Sequence, residues 1–319
     1  MVRTLDPEYA AALGPTLAAM RAAPKAPVYE VAPRRTGINT MWAAYMSKYP
    51  TVTDVEETII KVPGHEGVEI AVHHFIKKNT PPSASAVLYT HGGGYFCLSV
   101  PLYSKVIQTY VSTSGVQFFA VEYRFPPEYV FPTPVEDCYA ALEWLNRNAG
   151  QFGIDPARLA IMGDSAGGGL AAATAIIARD RNLSPPLAKQ IIIYGMLDDR
   201  NQSRFEELQG LASWQPDDNL TGWAAYIGKD NAAKPGVSPY AAPARVETVV
   251  GLPRLYCDVP DLDIFRDENI AYAARHALAG IPIELHVYPS LPHGFEPSAP
   301  YITATRLAMS NRVRVIMAL

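Results

Sequence analysis

The chain has 319 residues, of which 49% are hydrophobic and 18% charged, with a formal net charge of −4. That composition excludes a disordered chain, and the slightly acidic balance gives no footing for a nucleic-acid partner or an anionic membrane surface. The length suits an α/β domain of roughly 250 residues plus an appendage better than two equal domains.

Residues 1–50 read as an N-terminal cap segment. A helix is predicted over 7–20, a proline- and arginine-bearing linker over 24–37, and a second short helix over 39–48 with Trp42 and Tyr45 on its apolar face. Nothing in the first 25 residues resembles a basic stretch followed by an apolar core, and no apolar run approaches about 18 residues. The expectation is therefore no signal peptide, no membrane span and a cytoplasmic location. Cys97, Cys138 and Cys257 have no metal or redox spacing and are expected as buried reduced thiols.

Strand signals begin at 51–62 and 68–75, joined through Pro63-Gly64-His65-Glu66-Gly67 as a hairpin. Strand 86–90 follows, then helix 102–114, strand 116–123, a proline-broken stretch and helix 135–148. A strand, turn and helix occupy 158–181. Strand 190–194, strand 252–258, helix 267–279, strand 283–288 and helix 299–317 complete the chain. Alternation of strands and helices from residue 86 onward predicts a mainly parallel sheet behind an antiparallel hairpin. The interval of about 199–239 breaks the alternation. It carries Phe205, Leu208, Leu211, Trp214, Leu220, Trp223 and Tyr226, and with residues 1–50 it reads as a cap. Asp217-Asp218 reads as a solvated face of that cap.

Two glycine motifs carry chemistry. Gly163-Asp164-Ser165-Ala166-Gly167 follows an apolar strand and opens an alanine-rich helix, the G-x-S-x-G pattern of a nucleophile elbow with Ser165 at its apex. His91-Gly92-Gly93-Gly94-Tyr95 directly follows strand 86–90. The amides of Gly92, Gly93 and Gly94 are expected to form one arm of an oxyanion hole, with the Ala166 amide as the other. His91 is expected to anchor that loop through its ring. The glycines at 167–169 do not fit a dinucleotide-binding motif, and neither a cofactor nor a metal is expected.

A serine nucleophile needs a base at the C-terminal edge of the sheet. Of seven histidines, His293 alone lies in a loop just past the last strand. The acid should precede it, after the penultimate strand. Asp258 reads as strand, Asp267 and Glu268 as the acidic first turn of a helix, and Asp261 and Asp263 as loop, with Asp263 favoured. The order is Ser165, Asp263, His293.

Together HGGGY, Tyr123-Arg124 with Phe131-Pro132 and Glu136-Asp137, GDSAGG, DIFRDE and PHGF make residues 50–319 resemble the hormone-sensitive-lipase-like branch of the α/β-hydrolases. The resemblance implies an eight-stranded sheet flanked by helices, a helical cap and carboxylesterase activity. It supports Asp263 through the family's D-x-x-x-D-E pattern, with Ile264 departing from the usual proline. It also makes Glu136, Asp137 and Asp164 structural supports. The expected partner is a small hydrophobic ester of about two to eight acyl carbons, held against Tyr95, Phe96 and Trp214. A homodimer through the sheet edge is a further expectation. Two rivals are a hormone-type receptor on the same scaffold, against which His293 counts, and an amide or lactone hydrolase.

Overall fold

The computed structural model describes residues 3–14, 16, 26–201 and 206–319. One eight-stranded sheet runs through it in the order β1-β2-β4-β3-β5-β6-β7-β8. The strands are β1 (Val55–Pro63), β2 (Glu69–Lys77), β3 (Ala86–Thr90), β4 (Gln117–Glu122), β5 (Leu159–Asp164), β6 (Lys189–Ile193), β7 (Arg254–Pro260) and β8 (Ile283–Tyr288). β1 and β2 pair antiparallel, as do β2 and β4, and every other neighbouring pair is parallel. Every residue of β3 and β5 is buried, which is why these strands read as continuous apolar runs rather than alternating ones.

Helices connect the parallel strands. α1 (Pro7–Leu13) and α2 (Val31–Lys48) precede the sheet. α3 (Val100–Ser114), α4 (Thr133–Asn148) and α5 (Ala166–Asp180) follow β3, β4 and β5 in turn. α6 (Pro216–Ile227) lies between β6 and β7, α7 (Arg266–Leu278) between β7 and β8, and α8 (Phe295–Ser298) and α9 (Thr303–Met317) close the chain. The ends follow local chemistry. Ser99 caps α3 through the Leu102 amide, and Gly115 ends it at φ 72°.

Three expectations change. The linker over 24–37 is helical from Val31, because Pro33 falls in the first turn, where a missing N–H costs nothing. Of the helix expected over 7–20, α1 ends at Leu13 and Gly14 takes φ 46°, while residues 15 and 17–25 lie outside those described. The C-terminal helix starts at Thr303, since Pro300 interrupts the run, and its first amide takes the Glu8 carboxylate at 2.6 Å. That bond holds the Glu8 carboxyl below its ordinary range.

The expected solvated face at Asp217-Asp218 is also corrected. Both residues lie in the first turn of α6. Asp218 accepts the Gln215 amide at 3.0 Å and pairs with Arg34 of α2, which is 6% exposed. Arg35, next along α2, donates to the Phe96 carbonyl at 2.6 Å and forks onto Glu128 at 2.8 Å. These bonds fasten α2 to α6 and to the loop after β3. Asp137 takes both arms of Arg124 at 2.8 and 2.9 Å and the His65 amide at 2.8 Å, which accounts for its burial. The three cysteines are free and buried, and burial pushes each thiol's pKa up. No helix among the described residues is long and apolar enough to cross a membrane.

Candidate active site

The turn between β5 and α5 is built by what two positions cannot carry. A Cβ at Gly163 would stand 2.3 Å from the Gly167 carbonyl oxygen, and one at Gly167 would stand 2.1 Å from that of Thr90. Strand and helix pass this closely only with glycine at both places. Between them Ser165 is held at φ 56°, ψ −125°, a strained setting for a residue with a side chain. Its backbone is fixed from both sides of the turn. The Ser165 amide donates to the Ile193 carbonyl at 2.9 Å, and its carbonyl accepts from Met196 at 2.9 Å and Gly169 at 3.1 Å.

The hydroxyl so presented meets His293. Ser165 Oγ lies 2.9 Å from His293 Nε2, and His293 Nδ1 lies 2.6 Å from Asp263 Oδ2. The carboxylate accepts from Nδ1–H, which leaves the Nε2 lone pair facing the serine hydroxyl. The other Asp263 oxygen accepts the Phe265 amide at 2.9 Å, so the carboxylate cannot swing away freely. Around the imidazole, Tyr194 stands edge-on at 4.6 Å, Phe265 edge-on at 5.3 Å and Trp214 tilted at 6.3 Å. The His293 carbonyl accepts from Ser213 Oγ. Asp263 and Ser165 are 2% and 5% exposed, so these hydrogen bonds lie in a largely solvent-excluded setting.

The other acidic candidates separate clearly. Asp261 Oδ1 accepts the Ser290 amide at 2.6 Å, tying the loop after β7 to the loop after β8. Asp258 is on β7, as expected, and pairs with Arg312. Asp267 and Glu268 open α7, but Glu268 turns inward and accepts the Leu197 amide at 2.7 Å. Asp164 holds the hydroxyls of Tyr89 and Tyr103, and burial raises its carboxyl pKa.

The loop after β3 lies against the serine: a Cβ on Gly92 would come within 3.2 Å of Ser165 Cβ. Gly93 and Gly94 take φ 121° and 57°, and the Gly93 carbonyl turns back to accept the amides of Phe96 and Cys97 at 3.0 Å. Among the described residues the amides of Gly93, Gly94 and Ala166 donate to no protein acceptor. His91 underpins the loop. Its Nδ1 lies 2.7 Å from the Gly92 carbonyl oxygen, its ring stacks on Tyr123 at 4.4 Å, and burial pushes its pKa down to about 4. It is therefore neutral at ordinary pH.

Trp214 covers this loop: its ring atoms lie 2.4 and 2.7 Å from the place a Gly94 Cβ would occupy, and the ring leans on Phe96 at 6.3 Å. Tyr95 turns toward α6 instead, stacked on Tyr226 at 4.1 Å with its hydroxyl on the Met196 carbonyl at 2.9 Å. Tyr194 and Ser213, both touching His293, have no motif that marks them in the sequence. Among the described residues no three His, Cys, Asp or Glu side chains are grouped to hold a metal ion.

Comparison with known proteins agrees with this geometry. A family model described as the alpha/beta hydrolase fold matches residues 87–297. Esterase LipI of Mycobacterium tuberculosis is 31% identical over 221 residues, a match spanning 66% of this chain and 66% of that protein. Carboxylesterase NlhH of the same organism is 30% identical over 247 residues, 76% of this chain and 75% of that protein. A solved structure called Bacterial Heroin Esterase has 32% identity and a TM-score of 0.88, covering 99% of this chain and 98% of that one. With its mainly parallel sheet, its strained serine turn and these relatives, the chain belongs to the hormone-sensitive-lipase-like branch of the α/β-hydrolase fold family.

Proposed function

We propose that this protein is a serine carboxylesterase that cleaves short- to medium-chain acyl esters through an acyl-enzyme. The observation that carries the reading is the unbroken relay from Ser165 Oγ through His293 to Asp263, at 2.9 and 2.6 Å. Ser165 attacks the ester carbonyl while His293 Nε2 takes its proton, and Asp263 stabilises the imidazolium. The oxygen that becomes negative is received by amides of the Gly92–Gly94 loop and Ala166, which among the described residues have no competing acceptor at Gly93, Gly94 and Ala166. His293 then protonates the departing alcohol. Water enters, loses a proton to His293 and releases the acid. The presence of a base aligned on the serine supports an enzyme over a receptor.

Residues 1–50 and about 199–239 act in this reading as a cap, which agrees with the Arg34–Asp218 pair between α2 and α6. The buried thiols suit a cytoplasmic location, and β8, last in the sheet order, offers an edge for a second copy of the chain.

The test is direct. The protein is expected to hydrolyse p-nitrophenyl butyrate and to be labelled by a fluorophosphonate at Ser165, located by peptide mass spectrometry. Absence of both turnover and label overturns the reading. Acyl length is tested separately. Trp214 and Phe96 wall the space beside Gly94, so Trp214→Ala is expected to raise kcat/KM for the decanoate relative to the butyrate by about tenfold. An unchanged ratio would remove Trp214 from the acyl site.

A further inference from the structure

His293 rides on an irregular loop between Ser290, at φ 61°, and Gly294, at φ 62°. Three residues after the histidine, Glu296 turns into the interior and is 3% exposed. It pairs there with Arg312 of α9, itself 2% exposed. Arg312 also forks onto Asp258 of β7, through Nε at 2.7 Å and Nη2 at 2.8 Å. β7 is the strand that leads to Asp263. The ring of contacts closes through Tyr194 at the end of β6. Its amide donates to the Asp258 carbonyl at 2.7 Å, its hydroxyl donates to Glu296 Oε2 at 3.3 Å, and its ring is the one edge-on to His293. Tyr194 sits at φ 37°, a setting a tyrosine keeps only when its surroundings enforce it.

We infer that Glu296, Arg312 and Asp258 form a buried positioning cluster that fixes the base loop against the acid strand and stabilises the imidazolium formed at His293 in the transition state. The inference rests on the triad proposed above. Burial raises the Glu296 carboxyl's pKa and Arg312 opposes that, so where Glu296 is ionised the two carboxylates exceed the one guanidinium by one negative charge behind Tyr194. The imidazolium that forms during each acyl transfer is stabilised by such a charge in a low-dielectric setting. Stability alone is a poor account of the cluster, since buried ion pairs are on average replaceable by apolar side chains without loss. Among the described residues the other ionisable groups around His293 are Asp263, Ser165, Tyr194 and, through space, Asp164 with the two tyrosines it holds, while Tyr110 and Tyr256 face the cluster itself at Arg312 and Asp258. Trp214 and Phe265 add uncharged rings. Of these, only Tyr194 touches Glu296, through its hydroxyl, and Tyr194→Phe isolates that contact.

The test compares wild type, Glu296→Gln and Tyr194→Phe in the full chain, with p-nitrophenyl butyrate from about pH 5 to 9. Glu296→Gln keeps the side-chain shape and leaves Arg312 on Asp258. It is expected to lower kcat about tenfold with KM within about twofold, and to move the acid limb of kcat/KM about half a pH unit lower. Tyr194→Phe keeps the ring and removes its hydroxyl, and is expected to lower kcat about threefold with the limb in place. A purely structural role lowers the titre of active sites without moving the limb. Wild-type kcat and limb in Glu296→Gln, or a loss matched by active-site titre alone, overturns the inference. If Glu296→Gln fails to fold, Tyr194→Phe decides, and an unchanged kcat there overturns it. An inactive, unlabelled wild type would instead sink the esterase reading, so the two failures are distinguishable.

Discussion

Ser165→Ala is expected to lower kcat for p-nitrophenyl butyrate about a hundred-thousand- to a million-fold, with KM within about threefold. The reason is local. Ser165 supplies the hydroxyl that lies 2.9 Å from His293 Nε2, and alanine keeps the Cβ, so the turn at φ 56° stays as it is. Thermal stability should therefore be unchanged, and what survives is the acceleration due to the oxyanion amides and to binding. Protein must be freed of trace wild type by its resistance to fluorophosphonate before the residual rate is read. A variant retaining more than about one part in a hundred of the activity would show that another group is the nucleophile.

Asp263→Asn is expected to cost about ten-thousandfold in kcat. In the wild type one Asp263 oxygen accepts the Phe265 amide and the other accepts from His293 Nδ1. An asparagine keeps the first bond with its carbonyl oxygen and so turns its NH2 toward Nδ1. The imidazole must then accept there and carry its proton on Nε2. That nitrogen can no longer take the Ser165 proton. Asp261→Asn is the internal control. Asp261 faces the Ser290 amide rather than the imidazole, and its amide variant should lose less than about tenfold. A larger loss at 261 than at 263 would reverse the assignment of the acid.

What was legible in the sequence is what short-range physics determines. Strand 86–90 was predicted to the residue because all its side chains are buried between two layers. The turn around Ser165 was legible because close packing leaves glycine no substitute at 163 and 167. The start of α2 was not, since the proline- and arginine-bearing stretch 24–37 read as a linker although proline is harmless in a first turn. Asp217-Asp218 read as solvated because the partner, Arg34, is 184 residues from Asp218 in sequence. Arg312 shares that difficulty, with Asp258 lying 54 residues away. A charged residue on an amphipathic helix looks like surface until the fold shows what lies opposite.

The glycines after Ser165 have a consequence for how the molecule comes to be. α5 opens Ala166-Gly167-Gly168-Gly169. Three consecutive glycines cost a helix about 3 kcal/mol relative to alanine, and a 15-residue helix is already marginal alone. They are there because a Cβ would strike the Thr90 carbonyl oxygen at 2.1 Å, the Gly195 Cα at 2.9 Å and the Met196 carbonyl oxygen at 2.3 Å. The first turn of α5 therefore takes its order from β3 and from the chain after β6, which must already be in place. During refolding, fluorophosphonate reactivity at Ser165 is expected to lag behind the return of helical circular dichroism, because the turn that presents Ser165 needs β3 and the chain after β6 packed against it.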